Sequence, residues 1–295
     1  MKDIAVIGSG TMGNGIAHVF AQQGYAVQLV DISRDKLDKG MSTISTNLER
    51  MAKKELITED AIGRTLQNIQ PTTKLGEGVK NADLVVEAAS ENIEVKLGIF
   101  KEIDRLCQPA TILASNTSSI SITRLAAATG RADKVIGMHF MNPVPLMSLV
   151  EIIRGYSTSD EVTKSIVNTA EKLGKTAIVV NDYPGFVANR ILMPMINEAI
   201  ETLHHGVSGV QEIDTVMKLG MAHPMGPLQL ADFIGLDICL SILNVLFEGF
   251  KNPKYAPSPL LVNMVTAGKL GVKSGEGFYD YSKSRKAEVV SAQFR

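Results

Sequence analysis

Short apolar runs alternate with longer amphipathic stretches along the first part of the chain. Each run contains β-branched residues and is bounded by turn or cap residues, which is typical of a buried strand. Strands are predicted at Ile4–Ile7, Ala26–Val30, Leu84–Glu87, Ile112–Ser115, Val135–His139, Leu149–Ile153 and Thr176–Val180. Between these runs the apolar residues recur at helical spacing. Helices are predicted at Met12–Gln23, Arg34–Lys54, Ile93–Arg105, Ile122–Ala128 and Glu161–Leu173. This alternation predicts an α/β fold with a parallel, doubly wound sheet.

The pattern changes after Tyr183, where Pro184 and Gly185 break the last predicted strand. The remaining chain has few strand-like runs. Helices are predicted there at Phe186–His204, Val210–Leu219, Leu228–Phe247 and Leu260–Ala267. We therefore predict two domains, an α/β domain over residues 1–183 and a smaller all-helical domain over residues 184–295. The polar residues Ser282–Arg295 are expected to form a loosely held tail.

Composition excludes several classes of protein. The chain has 295 residues with 30 basic and 31 acidic side chains, so it has no basic field for nucleic acid and no such partner is expected. Cys107 and Cys239 lie outside any CxxC spacing, so neither a disulfide framework nor a metal site is expected. The run Ile4–Ile7 is too short for a signal sequence or a membrane span. A cytoplasmic protein without a membrane partner is expected.

A glycine-rich turn follows the first predicted strand and reads G-x-G-x-x-G, with glycines at Gly8, Gly10 and Gly13. These glycines would allow a tight turn, close approach of a pyrophosphate and helix–strand packing. The following helix would point its positive end at the phosphates. The predicted cofactor contacts also include Thr11 and Met12. The sequence therefore predicts a Rossmann-type dinucleotide domain.

Asp31 stands at the end of the second predicted strand, where an acid accepts hydrogen bonds from the adenosine ribose. Its charge would repel a 2′-phosphate, which favours NAD over NADP. Arg34 lies close enough to weaken that preference.

Two further residues suit an alcohol oxidation. His139 ends a predicted strand, and a base of near-neutral pKa is needed when a hydroxyl loses its proton with the hydride. Glu151 interrupts an apolar strand, where a lone acid is costly unless paired. A paired carboxylate would orient the imidazole. From these two residues alone, the alternative stays open that His139 caps a strand and Glu151 faces water.

Several longer motifs occur in order along the whole chain. They are Asn116–Ser119, His139–Pro145, Leu149–Glu151, Asp182–Arg190 with Pro194, Lys218–Gly220 and Pro224–Pro227. Together they resemble the L-3-hydroxyacyl-CoA dehydrogenase family, and most closely its compact bacterial members with no hydratase domain. The resemblance implies NAD-dependent interconversion of (S)-3-hydroxyacyl-CoA and 3-ketoacyl-CoA in fatty acid or butyrate metabolism. The expected pair is 3-hydroxybutyryl-CoA and acetoacetyl-CoA.

The resemblance also implies roles for individual residues. His139 would be the general acid/base and Glu151 its orienting carboxylate, while Ser118 and Asn189 would hydrogen-bond the C3 oxygen of the substrate. Further cofactor contacts are implied for Glu91, Lys96, Asn116, Ser118, Asn142 and Lys273. Lys96 is also implied at the substrate.

Three cations lie on one face of a predicted helix, at Arg50, Lys53 and Lys54. They suit a clamp for the CoA phosphates, although a solvated basic face is the usual meaning of such a cluster. The family uses a lysine that matches Lys54. At Asn47, expected in the same substrate site, several relatives have a serine instead.

Two other classes remain as alternatives. A β-hydroxyacid dehydrogenase with a non-CoA substrate needs a lysine at the start of the second domain's first helix, but this chain has Asn189 and Arg190 there. A non-catalytic NAD-binding relative would lack the base, whereas His139 and Glu151 are both present. A homodimer formed through residues 185–295 is expected, because two-fold pairing is the commonest assembly.

Overall fold

The computed structural model describes residues 1–295, which form two compact units. The first, Met1–Tyr183, contains an eight-stranded sheet with its helices. The second, Pro184–Arg295, is built mainly of helices. The predicted fold class is confirmed: a Rossmann-type sheet is followed by a smaller helical part.

The sheet of the first unit has the strand order β3-β2-β1-β4-β5-β6-β7-β8. Its strands are β1 Asp3–Ile7, β2 Ala26–Val30, β3 Ile69–Thr72, β4 Leu84–Glu87, β5 Ile112–Ser115, β6 Val135–Phe140, β7 Leu149–Arg154 and β8 Thr176–Asn181. Seven of these are the predicted strands. β3 was not predicted, because Pro71 lies within it and removes a backbone donor. An edge strand tolerates that loss.

The expectation of a wholly parallel sheet is wrong at β7, which runs antiparallel to β6. Only the short segment 141–148 joins these two strands. A parallel pair needs a crossover of a dozen or more residues, so the chain has to turn back on itself. The resulting register places His139 directly opposite Glu151.

Seven helices accompany this sheet. They are α1 Thr11–Gln22, α2 Arg34–Lys53, α3 Glu59–Gln67, α4 Leu75–Val79, α5 Ile93–Leu106, α6 Ile122–Ala126 and α7 Asp160–Lys172. Ser33, Asn92, Ser121 and Ser159 cap four of them by accepting a backbone N–H. The sequence did not predict α3 or α4, which are short. β1, β4 and β5 are almost wholly buried, as expected for strands covered on both faces.

The second unit contains five helices around its own apolar core. They are α8 Ala188–His204, α9 Val210–Thr215, α10 Pro227–Ile234, α11 Leu236–Phe250 and α12 Pro259–Thr266. A π-helical turn, Val216–Gly220, extends α9. The single helix predicted over Leu228–Phe247 is wrong. Gly235, at φ +101°, separates α10 from α11, and the two helices bend by 97°.

No single helix is long and apolar enough to cross a membrane, although α10 and α11 together pass that test by length and composition. Leu228, Ala231, Leu236, Leu243 and Leu246 of these two helices are fully buried in the core of the second unit.

The expected loose tail is also wrong. Ser291 is fully buried and its hydroxyl donates to the Glu276 carboxylate. Phe294 stacks on Phe278 with ring centroids 5.7 Å apart. These apolar and polar contacts fasten the end of the chain to the core of the second unit.

A buried carboxylate, Asp232 on α10, holds the chain that follows α12. Its oxygens accept from Phe278 N at 3.0 Å, Tyr279 N at 2.9 Å and the Tyr281 hydroxyl at 3.1 Å. Burial raises the pKa of Asp232 to about 7; the three donors oppose this shift, and the nearby Asp214 adds to it. Asp232 is therefore more readily protonated in the folded protein than in the unfolded chain.

This shift makes stability depend on pH. The folded pKa of about 7 lies above the ordinary value of 3.8. The stabilisation that Asp232 contributes to the free energy of unfolding is therefore fully present at low pH and is lost as pH rises to the folded pKa of about 7. Between about pH 5.5 and pH 8 the loss from Asp232 should be about 2 kcal/mol. Asp232→Asn should flatten this slope in urea unfolding, whereas the exposed Glu248→Gln should not. An unchanged slope in Asp232→Asn would contradict the shift.

Candidate active site

The glycine turn after β1 has the geometry of a phosphate-binding loop. Gly8 has φ +99°, and a Cβ there would lie 2.6 Å from the carbonyl oxygen of Ala88 beyond β4. A Cβ on Gly13 would overlap the carbonyl oxygen of Gly8. A Cβ on Gly10 would meet nothing within 4 Å, so that side of the loop is open. Thr11 and Met12 begin α1 just beyond it. An open loop at a helix N-terminus fits a pyrophosphate.

Asp31 directly follows β2 and is fastened to the same loop. Its Oδ2 accepts from Ser9 N at 2.8 Å and from the Ser9 hydroxyl at 2.9 Å. The glycine turn and this acid therefore form one rigid group at the carboxyl ends of β1 and β2. The chain passes from β1 to β2 on one side while β4 lies on the other, which is the switch point where such sheets bind dinucleotides.

A buried ionic group lies beyond β4. Lys96 Nζ donates to both carboxylate oxygens of Glu87, at 2.7 and 2.9 Å, and lies 3.4 Å from Glu91 Oε2. The Glu87 and Lys96 side chains are 0% and 1% exposed. Glu87 also accepts from the Ser115 hydroxyl at 2.6 Å and from Ala89 N at 2.7 Å. The resemblance implies Lys96 at the phosphates and the substrate. In the structure the Lys96 ammonium lies among three carboxylate oxygens.

Glu91 joins this ionic group to the loop after β5. Its Oε1 accepts from the Thr117 hydroxyl at 2.6 Å, Ser118 N at 2.9 Å and the Ser118 hydroxyl at 3.2 Å. Burial alone would raise the pKa of Glu91, but the charge of Lys96 and these hydrogen bonds prevail and lower it. Glu91 is thus held as a carboxylate, and it fixes the position of Ser118.

The next residues connect β5 and β6. Asn116 Oδ1 accepts from Phe140 N at 2.9 Å, so the end of β5 is tied to the residue beside His139. Asn142 is exposed and follows β6 at the start of the turn to β7. Asn116, Ser118 and Asn142 therefore lie on the segments that leave the carboxyl ends of β5 and β6.

His139 and Glu151 form a direct pair. The distance from His139 Nδ1 to Glu151 Oε2 is 2.8 Å, and both side chains are buried. They are opposite residues of an antiparallel pair, which brings their side chains onto one face. Glu151 is only 2% exposed, so the alternative in which it faces water is excluded. The carboxylate of Glu151 therefore lies against Nδ1 and fixes the orientation of the imidazole ring.

The second unit carries two of the predicted residues. Asn189 is buried in the first turn of α8, just after Gly185 with φ +73°. Lys273 pairs with Asp237 at the start of α11.

On α2, Arg50 and Lys53 lie in the last turn, and Lys54 is the C-cap. All three are exposed and none takes part in an ion pair, whereas Asn47 is half-buried. Their cationic ends therefore remain available to an anion.

Sequence analysis missed Glu87, Ser115 and Ser9. A signal for Glu87 was present, since it ends the apolar strand Leu84–Glu87 just as Glu151 interrupts β7. Its partners could not be named without the strand order.

The structure combines a dinucleotide loop at the switch point with a buried histidine–carboxylate pair on β6 and β7. This combination defines an NAD-dependent dehydrogenase. Residues 3–183 match the family model "3-hydroxyacyl-CoA dehydrogenase, NAD binding domain". Residues 185–281 match "3-hydroxyacyl-CoA dehydrogenase, C-terminal domain". The chain belongs to the 3-hydroxyacyl-CoA dehydrogenase family, as the resemblance predicted.

Three relatives illustrate the similarity. A 3-hydroxybutyryl-CoA dehydrogenase from Bradyrhizobium diazoefficiens is 55% identical over 281 residues, which cover 95% of this chain and 96% of the relative. The crystal structure of (S)-3-hydroxybutyryl-CoA dehydrogenase from Ralstonia eutropha has a TM-score of 0.93 at 50% identity, and the match covers 96% of this chain and 100% of that one. The mitochondrial hydroxyacyl-coenzyme A dehydrogenase of Rattus norvegicus is 43% identical over 95% of this chain and 91% of its own length.

Asp31 should decide between the two nicotinamide cofactors. Its carboxylate, held by Ser9, would repel the 2′-phosphate of NADPH, so the wild type should have a much higher kcat/KM with NADH. Asp31→Ala should reduce this preference by about tenfold or more while lowering the NADH turnover less. Steady-state kinetics with both cofactors would measure the ratio. Equal use of NADPH by the wild type would contradict this role.

Proposed function

We propose that this protein interconverts (S)-3-hydroxybutyryl-CoA and acetoacetyl-CoA. The observation that carries the proposal is the buried His139–Glu151 pair, whose 2.8 Å contact supplies an acid/base next to a dinucleotide site. The two relatives at 50% and 55% identity that bear this substrate in their names support the choice of acyl chain. We place the reaction in the cytoplasm.

The residues present fit the cofactor, because the glycine loop is open at Gly10 and Asp31 stands beside it. When bound at this loop, NAD would supply the hydride acceptor for oxidation at C3 and, in its reduced form, the hydride donor for reduction. In the oxidation, His139 Nε2 takes the proton of the C3 hydroxyl. Glu151 keeps Nδ1 protonated and stabilises the imidazolium that forms. In the reduction, His139 gives that proton to the C3 oxygen.

Ser118 and Asn189 complete the proposed site by donating hydrogen bonds to the C3 oxygen. Donors at this position stabilise the negative charge that develops there as hydride arrives. Glu91 positions Ser118 by accepting from its backbone N–H at 2.9 Å. The Ser118 hydroxyl, which donates to Glu91 at 3.2 Å, would turn its single proton to the C3 oxygen when the substrate binds. For the cofactor we assign further contacts to Asn116, Asn142 and Lys273, and assign Lys96 an indirect role through Glu91.

The CoA phosphates would bind the exposed cations Arg50, Lys53 and Lys54 at the end of α2. Asn47, a turn earlier on the same helix, would face the CoA chain. These contacts lie far from C3, so their binding energy can be used to hold the reacting carbon in place.

Oxidation of NADH by acetoacetyl-CoA tests the substrate directly. Its kcat/KM should exceed that for free acetoacetate by at least about 100-fold, because the free acid lacks the CoA contacts. Lys54→Ala should raise KM for acetoacetyl-CoA and leave the weak reaction of acetoacetate unchanged. A longer 3-ketoacyl-CoA should react less well. Equal rates with acetoacetate and acetoacetyl-CoA would reject a CoA substrate and favour a β-hydroxyacid dehydrogenase.

The catalytic pair should behave as one unit. His139→Gln should lower kcat by about 10³-fold to 10⁴-fold with NADH affinity nearly intact, because the base is lost while the cofactor is held elsewhere. Glu151→Gln keeps the shape of the hydrogen bond but loses its charge. Glu151→Gln should therefore lower kcat by less than His139→Gln does, and it should move the pH–rate profile to lower pH.

The double variant should be little slower than His139→Gln alone, since both residues serve the same proton transfer. Full additivity of the two losses would show that Glu151 acts independently. Turnover near the wild-type rate in His139→Gln would exclude the mechanism.

We also propose a homodimer formed through the second unit. The segment after α9 exposes three large apolar side chains, Val216, Leu219 and Met221, and Leu219 is 83% exposed. A two-fold axis would allow the same patch to cover itself on the partner.

Leu219→Glu should therefore favour the monomer, measured by light scattering at micromolar concentration. The matched control Tyr156→Glu changes an exposed residue of the first unit and should leave the dimer intact. A wild-type monomer at that concentration would contradict the assembly.

A further inference from the structure

The ionic group of Glu87, Lys96 and Glu91 lies on the nicotinamide side of the site. Across the sheet, β2 ends at the ribose acid Asp31, β1 ends at the phosphate loop, and β4, β5 and β6 follow in that order. A dinucleotide held across the switch point must extend its second half over β4 and β5 toward His139 on β6. Glu87 is the last residue of β4, so this ionic group lies under that half.

The group carries one uncompensated negative charge. It contains two carboxylates and one ammonium, and no other basic side chain pairs with any of them. Glu87 has both oxygens within 2.9 Å of Lys96 Nζ and is fully buried. Glu91 is farther from Lys96, at 3.4 Å, and its side chain is 39% exposed. The excess charge is therefore located mainly on Glu91, the partly exposed member of the group.

We infer that Glu87 sets the charge that the nicotinamide ring meets, by neutralising Lys96 so that Glu91 remains an uncompensated carboxylate. The oxidised ring is positively charged and the reduced ring is neutral, so this carboxylate favours NAD⁺ over NADH. Glu87 itself touches no ligand and is a positioning residue. Without Glu87, Lys96 and Glu91 would neutralise each other and the preference would be lost.

This preference has a consequence for the bound reactants. In the reduction, His139 would give a proton to the C3 oxygen while the bound cofactor supplied a hydride to C3, and the nicotinamide ring would then carry a positive charge. A carboxylate near the ring stabilises that product. The equilibrium within the site is thereby displaced toward ketone reduction.

The inference is tested by the binding of NAD⁺ and NADH in the absence of acyl-CoA, using calorimetry for NAD⁺ and fluorescence titration for NADH. Glu87→Gln should raise the ratio Kd(NAD⁺)/Kd(NADH) by about threefold to tenfold, the effect of one charge several ångströms away at intermediate dielectric constant. The double variant Glu87→Gln with Lys96→Gln removes one charge of each sign. It should return the ratio to near the wild-type value.

A purely structural role would give a different result. Loss of packing would weaken both cofactors by the same factor, and the double variant would be worse than the single one. Either outcome would overturn the inference. Glu94→Gln, an exposed change on the same helix α5, is the matched control and should leave the ratio unchanged.

If Glu87→Gln does not fold, Glu91→Gln keeps the inference testable, because it removes the same net charge from the partly exposed position. It should shift the ratio in the same direction as Glu87→Gln, and an unshifted ratio would overturn the inference. The inference rests on the NAD dependence of the family and not on the proposed acyl-CoA substrate. A failed ratio test would leave the acetoacetyl-CoA assay unaffected, and the reverse also holds.

Discussion

A carboxylate buried in the sheet needs a partner, and in the first unit each such partner is a residue that the proposed chemistry uses. Glu151 on β7 meets His139, and Glu87 at the end of β4 meets Lys96. Breaking either pair by removing one member leaves the other polar group buried without compensation, which costs several kcal/mol. The contacts that offset the free-energy cost of burying these two carboxylates therefore also fix the side chains around the proposed reaction centre.

The reversal of β7 is the topological feature on which the proposed catalytic pair depends. A parallel strand beside β6 would need a long crossover, and the register of His139 and Glu151 would then be set by a distant helix. The short turn after Asn142 instead makes β6 and β7 a two-stranded unit. Its cross-strand pairing alone brings imidazole and carboxylate together. Asn116 then ties this unit to β5, so the proposed base, His139, is held in a fixed position relative to Ser118.

Charge is distributed unevenly along the carboxyl edge of the sheet. On the adenosine side, the carboxylate of Asp31 accepts two hydrogen bonds from Ser9, and its proposed role is to discriminate against a second phosphate. On the nicotinamide side, Glu91 retains a charge that Glu87 prevents Lys96 from neutralising. A bound dinucleotide would thus have a carboxylate near each end. The proposed effect of Asp31 is to select NAD over NADP, and that of Glu91 is to favour NAD⁺ over NADH.

The sequence by itself determined the features that depend on residues close together along the chain. The glycine turn, Asp31 and the period of the strands follow from local geometry, and the family motifs point to His139 and Glu151 as the candidate acid/base pair. Only the tertiary structure decided the direction of β7, the break at Gly235, the docking of the chain end around Phe294 and the partner of Lys96. Glu87 and Ser115 meet because β4 and β5 are neighbours in the sheet, although they are far apart in sequence. A hydrophobic pattern records which positions are buried. It does not record which buried positions face each other, because that depends on strand order and register.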